Sequence, residues 1–380
     1  MVKKLVLHIS DDDGLQDDCK VEDILQINQS LLEIATVYKN KITEHYQNKS
    51  WDRYKRLSNE YELIFYSSNS TTNIASVNPV SRSFFKLWEI LHDFEKEIGL
   101  STNTPMNCVF LAEGPGGFYE AFYRKRKHVH DICHGMTLKS ANKTVPDWKM
   151  NRKLPLKISY GKDGTGNLYN VENLVNFTDV VGKGNVDFIT ADGGFDFSSD
   201  FNHQEDQSAR LIISEVLAAL LMQKDNGTFV LKVYDCFNEE TLKILHILNA
   251  HYRNMYLIKP LTSRPANSER YILCTGFFKG DQVKYIHTVK LLKYIVANYD
   301  TIDLQRAFED ITYDSSFLAH IVMYNLYYTM RQVYYIQRTI NYITFFSTYQ
   351  NSSEVEQAII DKHKVKSIKW CIKYKIPYKE

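Results

Sequence analysis

The stretch Val109-Phe110-Leu111-Ala112-Glu113-Gly114-Pro115-Gly116-Gly117-Phe118 constrains this chain more than any other. An apolar strand runs into an acidic residue and a glycine-rich turn, and Glu120-Ala121-Phe122-Tyr123 then opens a helix. Glycines let backbone approach a ligand where a Cβ would collide, and a helix N-terminus offers free N–H groups. The spacing is not Gly-x-Gly-x-x-Gly, so the dinucleotide fingerprint is not met. An acid before the turn, with no phosphate-binding character in the helix, fits S-adenosylmethionine better: that molecule carries a sulfonium, an amino acid moiety and ribose hydroxyls, but no pyrophosphate. On the motif alone, a tight strand-to-helix turn without a ligand is an equal reading.

From 107 to 278, strand patterns alternate with helix patterns, which predicts a parallel, doubly wound sheet. Strands are expected at 108–113, 131–137, 156–160, 186–192, 228–234, 255–260 and 270–278. The helix at about 205–224 is apolar nearly all round and therefore buried. Lys259 to Arg270 joins the last two strands without a helical pattern, so the final strand must run antiparallel: six parallel strands plus one. Helical patterning fills both flanks. In 1–78, Leu25, Leu31, Leu32, Ile34 and Val37 suggest an amphipathic helix. In 283–380, an aromatic run extends from Phe317 to Tyr349, and its tyrosines are read as core and interface groups rather than base-stacking platforms. Pro79 to Gly99 reads as one helix capped by Ser81 or Ser83, with Lys86 opposite its buried stripe, where periodicity alone makes it a solvated lysine.

Composition excludes several classes. A formal net charge of +1 over 380 residues gives no global argument for nucleic acid. No apolar run has the length of a membrane span, and the apolar start is too short for a signal segment before Asp11-Asp12-Asp13. Asp11, Asp13 and Gly14 lack the later ligands of a calcium loop and read as a solvated turn. The six cysteines are dispersed with no Cys-x-x-Cys, as small core residues in a reducing compartment are, and no zinc or other metal site is indicated. Local charge is different. Ala121 to Lys162 holds eleven Lys or Arg against two acids, Asp131 and Asp147. That is the footprint expected of a phosphate backbone, with Arg124, Lys125, Arg126 and Lys139 as candidate contacts and Arg264 as another.

In an open parallel sheet, ligands bind outside the carboxyl ends of the strands. Asp192 ends one strand there, Lys232 sits near the end of the next, and Glu269 stands before the antiparallel strand that starts at the same edge. Lys232 is the most telling, because central strands read as apolar runs. An ammonium there must find carboxylates or lose its proton. A structural Lys232–Asp192 ion pair is the plain reading; a catalytic lysine in reach of the glycine-rich turn is the sharper one.

Lys86, the Glu113–Phe118 turn, Asp192, Lys232 and Glu269, in this order, resemble the FtsJ-like ribose 2′-O-methyltransferases over residues 79–282. That family uses S-adenosylmethionine and a Lys-Asp-Lys-Glu tetrad. Thr190–Asp196, Ser263–Glu269 and Gly161–Asn167 are similar to the mRNA cap-specific branch, and the flanks resemble large-DNA-virus members. The resemblance implies an α/β, Rossmann-like methyltransferase sheet at 79–282 with helical additions at 1–78 and 283–380. It implies a catalytic set of Lys86, Asp192, Lys232 and Glu269, and a cofactor set of Glu113, Gly114, Pro115, Gly116, Gly117, Phe118, Met136 and Asp192. Two positions depart from the pattern. The second strand ends in Gly135-Met136-Thr137-Leu138 without the acid that holds ribose hydroxyls, and Asn167 stands where relatives carry Asp. Asp163 is the candidate that compensates.

The chemistry implied is general-base attack by a ribose 2′-hydroxyl. A lysine with an ordinary pKa of about 10.4 is protonated at neutral pH. A second ammonium about 4 Å away opposes its charge by roughly 4 kcal/mol at an effective dielectric of 20. Lys86 would so tune Lys232, the base, while Asp192 and Glu269 oppose that shift and orient the amines; the net sign stays open. The partners implied are capped RNA and, through the C-terminal helices, other capping or transcription proteins, with no membrane. The seven lysines from Lys362 to Lys379 serve phosphates, a partner or only solvent. Cytoplasmic capping, at sites of viral transcription or in a virion, is the setting the viral resemblance suggests. A ribosomal or transfer RNA ribose methyltransferase, and a non-catalytic RNA-binding subunit of a capping complex, are the competing readings.

Overall fold

The computed structural model describes residues 7–9, 20–46, 50–67, 70–100, 103–142, 145–149, 155–195, 200–349 and 352–379. Asp11–Asp18, Cys19 and Asp196 lie outside them. In chain order the elements begin with β1 (Leu7–Ile9), α1 (Val21–Tyr46), α2 (Ser50–Ser58), α3 (Ser83–Asp93) and α4 (Glu95–Ile98). The sheet domain continues with β2 (Asn107–Leu111), α5 (Gly117–Arg126), β3 (Ile132–Met136), β4 (Leu156–Ser159), α6 (Val171–Val181) and β5 (Val186–Ala191). Then come α7 (Gln204–Met222), β6 (Gln223–Tyr234), α8 (Glu239–His251), β7 (Tyr252–Ile258) and β8 (Glu269–Phe277). The chain ends in α9 (Gln282–Asn298), α10 (Leu304–Ala307), α11 (Ser315–Thr348) and α12 (Ser353–Lys373).

The strands form one sheet in the order β1-β7-β8-β6-β5-β2-β3-β4. β8 lies antiparallel between β6 and β7, as its short connection requires, and β2–β7 run parallel to one another. The edge strand β1, antiparallel to β7, adds an eighth member to the seven expected.

Period-two alternation divides the core. On β2, Val109 and Leu111 pack with α7, α8, α9 and α11, whereas Cys108 and Phe110 pack with α3, α5 and the end of α12. The same alternation on β6 sends Phe229, Leu231 and Val233 to the first face and Val230 to the second. Lys232 therefore falls in phase with Val230, on the side of α3. The five described cysteines are buried and unbridged.

The flanks differ from expectation in detail. α1 buries Ile24, Asn28, Leu31, Ala35, Lys39 and Ile42, a helical stripe that includes two polar residues, while Ile34 and Val37 face solvent. Tyr324, Tyr328 and Tyr335 of α11 are buried, but Tyr334 is exposed. The lysine-rich end is folded: α12 buries His363, Trp370 and Cys371, and Lys373 pairs with Asp93 at 3.1 Å. The expected single helix at 79–99 breaks at Phe94 and stops at Gly99. Arg82 occupies its N-terminal position, while the Ser81 and Ser83 hydroxyls bond each other at 2.5 Å. No described helix is long and apolar enough to cross a membrane.

One buried cluster tests the electrostatics. Glu62 lies 2.9 Å from Arg82 and 2.7 Å from Arg264. Burial alone would raise its carboxyl, but the two guanidiniums outweigh it and hold the value down at about 2. A folded-state value below the unfolded one, about 4.3, means that the stabilisation is complete above that pH and fades as pH falls toward 2. Urea unfolding of Glu62→Gln should show a deficit of about 3 kcal/mol at pH 7, closing between about pH 4.5 and pH 2. A pH-independent deficit would show that packing, not charge, sets the effect.

Candidate active site

At the carboxyl edge of the sheet, the turn after β2, the end of β3, the loop before α6 and the end of β5 enclose a cleft of about 550 Å³. That is the size of a small-molecule site. Gly114, Pro115, Thr137, Leu138, Asn167 and Phe195 are among its walls, and Asp192 and Lys232 stand at its end.

The four polar residues picked out at this edge form two lysine–carboxylate pairs. Lys232 Nζ lies 3.1 Å from Asp192 Oδ1 and donates to the Asp192 carbonyl at 2.7 Å. Lys86 Nζ donates to Glu269 Oε2 at 2.7 Å. Helix α3 supplies Lys86, half-buried on the face that meets the sheet rather than solvated. Each carboxylate is oriented by a further hydroxyl: Tyr271 donates to Asp192 Oδ1 at 3.0 Å, and Ser263 donates to Glu269 Oε1 at 2.8 Å. At Gly194 a Cβ would stand 2.4 Å from the Tyr234 hydroxyl and 3.0 Å from Lys232 Nζ, so a side chain there would displace the tips of both.

Burial would lower the Lys232 pKa, but Asp192, the Tyr234 hydroxyl and Glu269 together raise it above the ordinary lysine range. For Glu269, burial raises the carboxyl, and Lys86, Lys232 and Lys259 bring it down to about 2. The direction follows from the acidic groups around the amine: their pull on the ammonium outweighs the cost of burying it.

The sequence pattern of the FtsJ-like methyltransferase family matches residues 79–277. The chain belongs to that family. FtsJ-like methyltransferases use S-adenosylmethionine, and the cleft suits it: apolar walls, a backbone approach at Gly114 that a side chain would block, and a carboxylate for a cation. Three relatives carry the name cap-specific mRNA (nucleoside-2′-O-)-methyltransferase 1. That of Trypanosoma brucei brucei is 36% identical over 195 residues, 50% of this chain and 51% of the relative. That of Danio rerio is 28% identical over 353 residues, 86% and 42%. That of Homo sapiens is 33% identical over 227 residues, 57% and 27%. The chain thus spans about half or less of the length of these curated relatives.

Not every residue expected in this FtsJ-like site lies in it. Met136 is fully buried in the core, and the next two residues, Thr137 and Leu138, form the wall. Phe118 is also buried, its ring 5.7 Å from that of Tyr271. Gly116 and Gly117 start α5. Glu113 sits inside the sheet's end, accepting a hydrogen bond from Thr190, with Oε2 buried and unpartnered. Burial pushes its carboxyl well up, and Glu215, beneath Gly193, is raised for the same reason.

Asp163 does not face the cleft. Its carboxylate accepts from Thr165, Asn170 and Asn173 at 2.7–2.9 Å, bonds that hold its pKa down and close the 163–173 loop.

α5 starts at the cleft and extends ten residues, about 15 Å, so Lys125 and Arg126 emerge near the opposite edge. There they pair with Glu95 and Asp131 at 2.7 and 3.1 Å, whereas Arg124 reaches back to Glu120 in the first turn of α5 at 2.5 Å, beside Val80. Arg264 is taken by Glu62. Lys139 is exposed beside Leu138, which forms part of the cleft wall. The Trp148 ring lies against Gly135 of β3.

Sequence reasoning gave no role to Tyr271, Ser263 or Lys259, although Ser263 opens the Ser263–Glu269 motif and Tyr271 stands two residues after Glu269 on the same strand.

Proposed function

We propose that this chain transfers the methyl group of S-adenosylmethionine to the ribose 2′-hydroxyl of a nucleotide near an mRNA cap. The observation that carries the reading is the Lys232–Asp192 contact in the wall of a cofactor-sized cleft, with the Lys86–Glu269 contact at the same sheet edge, in a chain of this family. The names of the relatives support the cap as the substrate class.

When bound, S-adenosylmethionine supplies an electrophilic methyl on a positively charged sulfur. Positive charge beside Asp192 offsets the carboxylates that hold Lys232 protonated and lowers its pKa toward the working range. Lys232 then accepts the proton of the attacking hydroxyl as general base. Asp192, fixed by Tyr271, holds the Lys232 amine in line, and Glu269, fixed by Ser263, holds Lys86 where it can position the ribose. Gly114, Pro115 and Asp192 form the cofactor side of this reading, and Lys139 contacts the RNA backbone beside the cleft. Partner proteins engage the helices after residue 283, and the reaction runs in the cytoplasm; both rest on the viral resemblance.

Transfer of labelled methyl to short RNAs with an N7-methylguanosine cap, with an unmethylated cap and without a cap tests this. Label in the ribose of a cap-proximal nucleotide, on capped RNA alone, is the expected result. Label on internal riboses of uncapped RNA would make the chain a ribosomal or transfer RNA enzyme. RNA binding with no label on any substrate would favour the non-catalytic subunit.

A further inference from the structure

Glu269 is the first residue of β8, and the backbone on either side of it is held by buried basic side chains. On the loop side, Lys259 Nζ donates to the Glu269 carbonyl at 2.6 Å, the Asn267 carbonyl at 2.7 Å and Asn267 Oδ1 at 2.8 Å. On the strand side stands Arg270, only 1% exposed. Adjacent strand residues point to opposite faces, so while Glu269 turns toward α3, Arg270 turns toward α1 and α11. There its Nη2 lies 3.0 Å from Asp235 Oδ1, and its Nη1 donates to Asn325 Oδ1 of α11 at 2.7 Å.

The contacts extend into both flanks. Lys39 of α1 reaches Asp235 Oδ2 at 2.6 Å. Asn325 Nδ2 donates to Asn28 Oδ1 of α1 at 2.9 Å and to the Cys236 carbonyl at 2.7 Å. Asp235 itself follows β6, three residues after Lys232, and takes φ +59°, a backbone region that aspartate seldom enters unless its surroundings hold it. Its N–H bonds the Ser268 carbonyl at 3.2 Å. One network therefore ties the end of the Lys232 strand to the start of the Glu269 strand, and it is completed by residues outside the 79–277 family match.

We propose that Arg270, Asp235 and Asn325 are positioning residues, through which α1 and α11 set the Glu269 carboxylate against Lys86. Pinning the guanidinium on one face of β8 fixes the rotation of the strand's first residues, and with it the direction of the side chain on the other face. A network of this kind is expensive as mere glue, because apolar residues of the same volume stabilise equally well or better; what it adds is a defined orientation. The proposal rests on the methyl-transfer reading of the tetrad.

The test compares the full chain with Asn325→Leu, which removes the acceptor of Arg270, and with Asn325→Asp, which keeps it. The substrate is the RNA that wild type methylates best. Around Glu269 stand Arg82, Lys86, Lys232, Tyr234, Lys259, Arg264 and Tyr271. Of these, Lys232 is the group whose proton must leave, and Glu269 helps to hold that proton. A displaced Glu269 holds it less well. Asn325→Leu should lower kcat roughly 10-fold or more, leave the Kd for S-adenosylhomocysteine within about two-fold, and move the rising limb of the kcat–pH profile to lower pH. Asn325→Asp should restore most of kcat.

A folded Asn325→Leu protein with unchanged kcat would overturn the proposal. So would a kcat that falls only with the folded fraction while the pH profile stays in place. Should Asn325→Leu not fold, Lys39→Gln, which weakens the network from α1 alone, takes its place. Its profile should move in the same direction, and an unmoved profile there would overturn the proposal equally. Wild type that methylates no RNA would defeat the methyl-transfer reading itself, and this proposal with it.

Discussion

Lys232→Met is expected to reduce methyl transfer by about three orders of magnitude, the scale of a lost general base, while the Kd for S-adenosylhomocysteine changes less than about three-fold. Methionine keeps the length of the side chain and fits among Val230, Tyr271 and Tyr234, so β6 should retain its pairing with β5 and β8. Asp192 keeps the Tyr271 hydroxyl at 3.0 Å and stays at the cleft edge. What disappears is the amine that pairs with Asp192 in the cleft wall. Lys232→Arg sharpens the test, since a guanidinium preserves charge but does not deprotonate in a working pH range. It should be as inactive as methionine. Single-turnover transfer at pH 7.5 and isothermal titration separate chemistry from binding. Turnover within ten-fold of wild type in Lys232→Met would remove Lys232 as the base and leave it a structural ion-pair partner.

The parts of this site that follow a local rule were legible in the sequence. A lysine in an otherwise apolar strand contradicts the pattern of a buried parallel sheet, and Lys232 stood out for that reason. The connection from Lys259 to Arg270 was too short for a crossover, which fixed the direction of β8. Asp192 and Glu269 were placed by their strand ends. Lys86 was different: α3 periodicity marks it as solvated, and only the family resemblance brought it to the site, where Glu269 accounts for its burial.

What depends on through-space geometry was not legible. Lys125 and Arg126 follow the glycine-rich turn closely in sequence, yet a helix of ten residues carries them to the other edge of the sheet. Asp163 looked available because nothing in its loop announces that Thr165, Asn170 and Asn173 would take its carboxylate. The sign of the Lys232 shift needed the acidic groups around the amine. Asn28 and Lys39 sit in the buried stripe of α1; the apolar pattern that predicts the helix passes over them, although they are what joins it to the strands of the tetrad.

The second large effect belongs to the cofactor turn. A Cβ at Gly114 would stand 1.9 Å from the Pro146 carbonyl oxygen and 2.9 Å from its carbon. Those are backbone atoms, so the overlap cannot be relieved by rotating a side chain. The segment Val145–Lys149 must move, and it is tied to the turn by the Lys149 N–H donating to the Pro115 carbonyl at 3.1 Å. Val145 and Pro146 are themselves part of the cleft wall, so the displacement falls on the cofactor side. Gly114→Ala should therefore weaken S-adenosylhomocysteine binding by about 30-fold, equivalent to about 2 kcal/mol, and raise the KM for S-adenosylmethionine in parallel. The tetrad is held by β5, β6, β8 and α3 rather than by this segment, so kcat at saturating cofactor should stay within about three-fold. Calorimetry on both proteins decides it. Unchanged affinity would mean that the cofactor does not rely on this wall, whereas a loss confined to kcat would place the turn's contribution in the chemical step instead of in binding.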